Sequence, residues 1–445
     1  MIYSSRTSRG VLVPLVLALL VACTHAMEVA TSPEEMGMSS ARLNQITQEL
    51  QKLVDDGDLP GAAFMVTRGG KYVYHGEVGY ADLETMTGFR SNTICRLLSM
   101  SKPVGAVAIM KLIEDKKLAF SDPLSKYLPE WADMTVADPT GGYDGYNADG
   151  SLYAVPAKRL ITIFDLLTHT SGLSYGYGFG EQWKYSYAYD VLGVVLQKVT
   201  GESPDVWVQK NIFAPLQMVD TSFSVPMSKI NRYSTSYTVM PSGRLQFIFR
   251  PRADFVSYSP PTFKSLGGGI VSTAKDFTRF GQMLLNGGTL DGVRILSPQA
   301  VDLMWRNYLP DALLPMDLNG WASDPNTGYG LGFTIATDEP VLNVKDWSRY
   351  TGDNRRGSVG WGGGAQTNFA LNTDTDTVVT YMVQRLNAPE VAFQGIILKG
   401  VYESIQGASP RKQAGGISTY SGVPTEQEKS FGHAAPASYL ETYWG

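Results

Sequence analysis

Residues 95–103 have the sequence Cys95-Arg96-Leu97-Leu98-Ser99-Met100-Ser101-Lys102-Pro103. Lys102 follows Ser99 at a spacing of three, and the apolar run that comes next predicts a helix over Ser99–Leu118. Residues i and i+3 lie on one helix face, about 4.5 Å apart along the axis, so the lysine amine can meet the serine hydroxyl. Burial can lower the pKa of a lysine enough for it to accept that proton. The spacing therefore predicts Ser99 as a nucleophile and Lys102 as its base.

The same Ser-x-x-Lys spacing occurs at two other places, so the pattern alone does not select Ser99. Ser409–Lys412 has a proline directly after its serine and lies in the C-terminal tail. Ser272–Lys275 opens a predicted helix, where its serine or Thr273 is expected to be the N-cap and Asp276 to complete a capping box with Thr273. For Ser99 as well, the alternative is an N-cap serine with a solvated lysine.

The 95–103 segment closely resembles the nucleophile segment of the serine β-lactamase and penicillin-binding-protein superfamily. It is most similar to the family VIII carboxylesterases, which share the class C β-lactamase fold. Three further segments resemble that family in the same order along the chain: Asp122–Pro129, Ile161–Leu173 and Gly267–Ala274. The resemblance spans roughly residues 40–400, which is more specific than any single motif. It implies an α/β (α+β) fold of the β-lactamase and DD-peptidase type, in which helices flank an antiparallel sheet and a helical and loop domain is inserted.

The second motif of that family is Tyr-x-Asn in β-lactamases and Tyr-Ser-x in the esterases, and residues 185–187 are Tyr-Ser-Tyr. The resemblance implies that Tyr185 shares the proton network of Ser99, as base towards the serine and as acid towards the leaving group. The alternatives are Tyr187, Tyr189 or a tyrosine that only packs, since the chain has 24 tyrosines. Because Tyr187 replaces the asparagine, the motif counts against turnover of β-lactams.

The third motif, Lys-Thr-Gly in β-lactamases, is absent, and Trp361-Gly362-Gly363 occupies its position. The resemblance implies that the N–H groups of Ser99 and Gly364 form an oxyanion hole, with Trp361, Gly362 and Gly363 beside the substrate. The alternative is a plain glycine turn. Without the lysine, the site lacks a cation for a substrate carboxylate, which favours neutral esters over penicillin-like acids.

Composition excludes several other classes of protein. The net charge is −5 and no long run of lysine and arginine occurs, so a nucleic-acid partner is not expected. The sequence contains no HExxH, Walker or dinucleotide-binding motif and no Gly-x-Ser-x-Gly. Its two cysteines, Cys23 and Cys95, exclude a disulfide framework and a cysteine metal site. We therefore expect no metal and no cofactor, and a buried Cys95. The Ser–Lys–Tyr set that the resemblance implies leaves His169 a structural role, and the resemblance implies a small-molecule ester or amide as substrate.

The order of helical and strand-like segments predicts one antiparallel sheet whose halves are separated by an insertion. The expected division is a first part of the α/β domain at 40–98, a helical and loop domain with the Ser-x-x-Lys and Tyr motifs at 99–265, a second part of the α/β domain at 266–405, and a flexible tail at 406–445. The expected elements are helices at 40–56, Asp190–Thr200, from near Ser272 and at 388–405, and strands at Ala62–Arg68, Tyr72–Val78, Tyr329–Ile335, Asn368–Leu371 and Val378–Val383.

Residues 1–26 are predicted to be a signal peptide, because two arginines precede the apolar stretch Val11–Ala22, which is short for a membrane span. Leu20–Cys23 resembles a bacterial lipobox, whose cysteine would be lipidated, and the alternative is cleavage after Ala26. We therefore expect a secreted or periplasmic protein that contacts a membrane only through a lipid anchor at Cys23.

These features leave three functions open. The first is an exported carboxylesterase that hydrolyses short-chain esters through an acyl-enzyme on Ser99. The second is a β-lactamase, D-amino-acid peptidase or transacylase of the same fold, and the third is a binding protein without catalysis. The segment 174–184 is shorter than in the relatives, which predicts a reduced roof over the cleft and keeps the third function open.

Overall fold

A β-hairpin near the start of the chain forms the centre of the fold. Strands β1 (Gly61–Arg68) and β2 (Lys71–Asp82) pair antiparallel, which confirms the predicted hairpin. Gly69 and Gly70 make the turn with φ of 61° and 83°, a left-handed region that glycine enters without steric cost. Every residue of β1 is buried, as expected of a strand covered on both faces.

Six more strands complete an eight-stranded antiparallel sheet in the computed structural model. In chain order they are β3 (Thr87–Gly88), β4 (Thr327–Tyr329), β5 (Thr334–Ala336), β6 (Ser358–Gly363), β7 (Thr367–Asn372) and β8 (Thr377–Met382). The order across the sheet is β4-β5-β6-β7-β8-β1-β2-β3. Because β8 lies beside β1, the first and last parts of the described chain meet in the middle of the sheet.

The prediction of a single strand at Tyr329–Ile335 is wrong, since these residues form the hairpin of β4 and β5. Gly332 has φ of 92° in the turn, a conformation that side chains with a Cβ rarely adopt. A Cβ on Gly330 would lie 2.2 Å from the carbonyl oxygen of Met304. The apolar residues around these glycines therefore belong to a tight turn and not to a continuous strand.

Helices cover both faces of the sheet. In the described part of the chain they are α1 (Ser40–Asp55), α2 (Lys102–Glu114), α3 (Ile163–Thr168), α4 (Ala188–Thr200), α5 (Pro204–Val208), α6 (Ala274–Leu285), α7 (Pro298–Met304) and α8 (Phe393–Glu403). Helices α1 and α8 share an apolar core with Phe64 and Val379 of the sheet. Helices α2, α4 and α6 share a second core with Phe369 and Val378, whose side chains point to the opposite face.

Short elements connect these layers. The 3₁₀ helices are Pro33–Met36, Leu98–Ser101, Leu124–Lys126, Pro129–Trp131 and Met227–Arg232, and a π-helical turn spans Gln209–Phe213. The small strand pairings are Thr135–Ala137 with Ala154–Pro156, Thr289–Leu290 with Val293–Arg294, Ser236–Val239 with both Leu245–Phe249 and Arg385–Leu386, and Cys95–Arg96 with Val271–Ser272. The last pairing places the glycine run at 267–269 next to the Ser99 segment.

The structure describes residues 27–138, 140–142, 146–175, 183–251, 261–309, 313, 316, 327–336, 357–386 and 393–407. The predicted signal peptide and lipobox, the first residues of the predicted helix 388–405, most of the segment 174–184 and the tail beyond residue 407 lie outside them. Within the described ranges, no helix is long and apolar enough to cross a membrane. The predicted helices at 40–56 and 190–200 are confirmed by α1 and α4.

Candidate active site

Ser99 lies in the 3₁₀ helix Leu98–Ser101, which connects the strand Cys95–Arg96 to helix α2. Leu98 has φ of 47°, in the left-handed region that costs a residue with a side chain about 1–2 kcal/mol. This turn of the backbone separates strand from helix, so the α-helix predicted from Ser99 begins at Lys102 and ends at Glu114. Such strain persists only where the surrounding structure enforces it, and here it sets the direction of the backbone directly before Ser99.

Lys102 brings its amine to the Ser99 hydroxyl, as the spacing predicts. The distance from Nζ to the Ser99 Oγ is 3.3 Å, and Nζ also donates to the Gly267 carbonyl at 2.8 Å and to the Tyr175 hydroxyl at 3.3 Å. Lys102 has no exposure to solvent. Burial lowers the pKa of Lys102 to about 7, against an opposing effect of the Asp190 carboxylate. A neutral amine is therefore present near neutral pH, and its lone pair can accept a proton from Ser99.

Tyr185 lies beside this pair, with its ring centre 4.6 Å from the Nζ of Lys102. Its buried hydroxyl makes no close hydrogen bond within the described residues, although Ser99 is near enough to favour its ionised form. Burial outweighs that effect and raises the pKa of Tyr185 well above its usual range. Tyr187 is exposed, and Tyr189 donates its hydroxyl to a backbone carbonyl of α3 at 2.9 Å. Of the three candidate tyrosines, the structure brings Tyr185 to the serine and lysine.

The segment Trp361–Gly363 forms the end of β6, beside the 3₁₀ helix that carries the serine, so its interpretation as a plain glycine turn is wrong. Thr367 on β7 pairs with Gly363 at the end of β6. Its hydroxyl donates to the Leu97 carbonyl at 3.0 Å and so connects this edge of the two strands to the residues before the 3₁₀ helix. A Cβ on Gly363 would lie 1.9 Å from the same carbonyl oxygen, so only glycine permits this approach. Gly364 directly follows this strand and is not part of it.

We expect Gly363→Ala to lower the free energy of unfolding by about 1–3 kcal/mol, because an added methyl group overpacks this contact. The group would also lie 2.7 Å from the hydroxyl of Thr367, so the strand end must move away from Leu97. Urea denaturation measures the effect. The matched control is Gly407→Ala, where a Cβ would meet nothing within 4 Å, and two variants of equal stability would contradict the prediction.

The second Ser-x-x-Lys match is structural. The Ser272 hydroxyl is buried and shares a hydrogen bond of 2.7 Å with the Thr221 hydroxyl, while Lys275 is exposed. Thr273 is the N-cap of α6 and accepts the N–H of Asp276 at 3.1 Å. Only this half of the predicted capping box forms. In the other half the Asp276 carboxylate would accept the N–H of Thr273, but it accepts the Thr221 hydroxyl and the backbone N–H of Asp220. The third match lies outside the described residues.

Cys95 is buried, as predicted, and His169, for which a structural role is predicted, is buried as well. Burial lowers the pKa of His169 well below its usual range, and the charge of Lys102 lowers it further. Burial raises the pKa of the Cys95 thiol. Both side chains are therefore neutral at physiological pH. Among the residues that the structure describes, no group of three or more His, Cys, Asp or Glu could hold a metal ion.

Sequence reasoning missed two groups that bond to Lys102. Gly267 lies in a segment that the family resemblance marked, but the motif assigned no role to its carbonyl. The Asp190 carboxylate fixes this glycine by accepting its N–H at 3.2 Å and the neighbouring Ser265 hydroxyl at 2.5 Å. Tyr175 is one of 24 tyrosines, and no spacing singled it out.

A buried lysine at a serine hydroxyl, beside one strand of a large antiparallel sheet, is the arrangement of the serine hydrolases and acyltransferases with a β-lactamase fold. The chain belongs to the Beta-lactamase family, which matches residues 46–399. This membership confirms the predicted fold class and the predicted superfamily.

Individual relatives agree with this assignment. Protein Rv1367c of Mycobacterium tuberculosis (strain H37Rv) is 31% identical over 372 residues, which cover 75% of this chain and 88% of that protein. Esterase EstB of Burkholderia gladioli is 30% identical over 203 residues, which cover 37% of this chain and 47% of that protein. Among solved structures, a mutant of the simvastatin synthase LovD from Aspergillus terreus superimposes with a TM-score of 0.70 at 22% identity, covering 83% of this chain and 99% of that one.

Proposed function

We propose that this protein is a carboxylesterase of the family VIII type, which hydrolyses short-chain esters through an acyl-enzyme on Ser99. The observation that carries the proposal is the 3.3 Å contact between the Lys102 Nζ and the Ser99 Oγ, with Lys102 shielded from water. The similarity to an esterase from Burkholderia gladioli supports the same class of activity. On the sequence of residues 1–26, we also propose that the protein is exported.

Acylation begins with the neutral amine of Lys102. It takes the hydroxyl proton of Ser99 while Oγ forms a bond to the carbonyl carbon of the ester. The N–H groups of Ser99 and Gly364 stabilise the oxyanion. Tyr185 is protonated, since burial raises its pKa, so it relays a proton to the leaving oxygen and does not act as the first base. The carbon–oxygen bond to the alcohol then breaks, the alcohol leaves with the proton of Tyr185, and Lys102 passes the proton that it took from Ser99 to the Tyr185 oxygen.

Deacylation repeats these steps with water as the nucleophile. Lys102 takes a proton from the water while its oxygen adds to the carbonyl carbon of the acyl-enzyme. The bond from that carbon to the Ser99 Oγ breaks, the acid is released, and the proton returns to Ser99. The cycle needs no group beyond the serine, the lysine, the tyrosine and the backbone N–H groups.

Neutral esters suit this site better than penicillin-like acids. Trp361 occupies the position of the β-lactamase lysine, and its ring lies 5.5 Å from that of Tyr185 and 5.3 Å from that of Tyr329. An indole packed in this way carries an N–H donor but no positive charge for a carboxylate.

A test compares p-nitrophenyl butyrate with a chromogenic cephalosporin and then labels the protein with a fluorophosphonate probe. We expect rapid ester hydrolysis, little cephalosporin turnover, and a labelled peptide that contains Ser99. Cephalosporin turnover that equals ester turnover would favour a β-lactamase. The absence of both turnover and labelling would refute the enzymatic proposal and favour a binding protein.

A further inference from the structure

His169 is a buried, ionisable side chain for which the proposed reaction has no use. It follows helix α3 directly, is 1% exposed, and has φ of 58°. Histidine adopts this left-handed conformation more readily than most residues with a side chain. The backbone therefore holds the imidazole at a defined position beneath the candidate active site.

The imidazole lies among the rings of the candidate site. Its centre is 5.0 Å from the ring centre of Tyr185, 5.3 Å from that of Tyr189, and 5.5 Å from those of Trp183 and Tyr329. The plane of His169 is inclined at 64° to that of Tyr185, so the two rings make an edge contact. The titratable groups around the imidazole are these three tyrosines and, through its charge, Lys102.

A hydrogen bond connects the imidazole to the backbone that carries Tyr185. The Nδ1 of His169 is 3.0 Å from the Ser186 hydroxyl, which also accepts the N–H of Ala188 at 3.1 Å. A serine hydroxyl has one proton to donate and two lone pairs. Ala188 occupies one lone pair, and the tautomer of the imidazole sets whether the hydroxyl donates to Nδ1 or accepts its proton through the second lone pair; the two side chains are joined in either case. Ser186 is thereby fixed between the imidazole and the start of α4.

We propose that His169 is a positioning residue that holds Tyr185 at Ser99 and Lys102. It acts through the hydrogen bond to Ser186, the residue directly after Tyr185, and through the edge contact between the rings. The inference rests on the proposed function, because it assumes that Tyr185 relays a proton. Misplacement of a reacting group by about 1 Å can lower a rate about 10²-fold, so loss of this anchor slows the chemical step.

Two substitutions remove the two partners of the hydrogen bond, Ser186→Ala and His169→Leu. We expect each to lower kcat for p-nitrophenyl butyrate about tenfold with KM within about twofold, because neither side chain binds the substrate. The double variant is expected to be no slower than the slower single variant, since both changes remove one shared contact.

Two further variants serve as controls. His169→Asn keeps a hydrogen-bonding group at the δ1 position, since its amide can either accept or donate, and it tolerates the left-handed backbone, so we expect its kcat to stay within about threefold of wild type. Ser297→Ala removes the N-cap bond of 3.2 Å to Ala300 at the start of α7 and is expected to leave kcat unchanged. Rates are measured well below the thermal midpoint of each variant, and Ser186→Ala retains the test if His169→Leu does not fold.

Three results would overturn the inference. They are a double variant whose loss of kcat is the product of the two single losses, single variants that change KM alone, and a Ser297→Ala variant that loses as much kcat as they do. So would wild-type kcat in both Ser186→Ala and His169→Leu when Tyr185→Phe is inactive. A wild-type protein without ester hydrolysis and without fluorophosphonate labelling would instead refute the proposed function, so the two failures are distinguishable.

Discussion

Ser99→Ala is expected to lower kcat/KM for p-nitrophenyl esters by about 10⁴-fold or more, because no acyl-enzyme can form without the hydroxyl. The remaining oxyanion donors and the binding surface still leave a small acceleration over water, as in other serine hydrolases that lack their nucleophile. Steady-state kinetics measure the loss, and mass spectrometry with a fluorophosphonate probe should show no labelling of the variant.

The matched control is Ser272→Ala, which alters the other described Ser-x-x-Lys segment. Its hydroxyl bonds to Thr221 and its lysine is exposed, so we expect activity within about threefold of wild type. The free energy of unfolding should fall by about 0.5–1.5 kcal/mol, because the bond to the Thr221 hydroxyl is lost while Thr221 keeps its bond to Asp276. Full activity in Ser99→Ala together with loss in Ser272→Ala would reverse the assignment of the nucleophile.

Lys102→Met is expected to lower kcat by about 10³-fold or more, because the proton of Ser99 loses its acceptor. The same change is expected to stabilise the fold. The pKa of Lys102 is about 7 in the folded protein, against an ordinary value of 10.5. At pH 7 this difference opposes folding by about 4 kcal/mol, and methionine removes it. The Gly267 carbonyl then lacks its donor, at a cost of about 1–3 kcal/mol, which leaves a net gain of about 1–3 kcal/mol.

The pH dependence of stability distinguishes two causes of a more stable Lys102→Met variant, the removal of an amine with a lowered pKa and a better packing of the methionine side chain. Between about pH 7 and pH 10.5, the unfolded chain holds the Lys102 proton and the folded protein does not. The stability of the wild type therefore rises by about 1.4 kcal/mol per pH unit across this window, and the advantage of Lys102→Met shrinks and reverses between about pH 8 and pH 10. Urea denaturation across the window measures the difference. A variant that is less stable at pH 7, with a constant difference at higher pH, would contradict the assigned pKa.

The same protonation equilibrium governs activity. Because the neutral amine is the base, kcat/KM of the wild type should level off above about pH 7 and fall about tenfold per pH unit below it. A profile that is flat down to pH 5 would show that Lys102 is not the base.

Local patterns predicted the hairpin of β1 and β2 and the helices α1 and α4, because these elements satisfy their hydrogen bonds between residues close in sequence. Two local predictions failed for a common reason. The helix predicted from Ser99 begins only at Lys102, because Leu98 adopts a left-handed conformation. The strand predicted at Tyr329–Ile335 is a hairpin, because the turn between β4 and β5 interrupts its apolar run. Contacts from distant segments enforce both, at Leu97 and at Gly330, and such contacts leave no trace in local periodicity.

The sequence by itself placed Ser99 and Lys102 on one face of a helical turn, and the family-like segments around them, not the spacing of three, distinguished this pair from the other two Ser-x-x-Lys matches. It also determined the order of the segments that meet around them. Only the tertiary structure decided that Lys102 is sealed from water beneath the Gly267 carbonyl and that Tyr185, among its neighbours, reaches the amine. Burial and proximity arise from packing between remote parts of the chain, and it is this packing that lowers the pKa of Lys102 from its ordinary value of 10.5 to about 7.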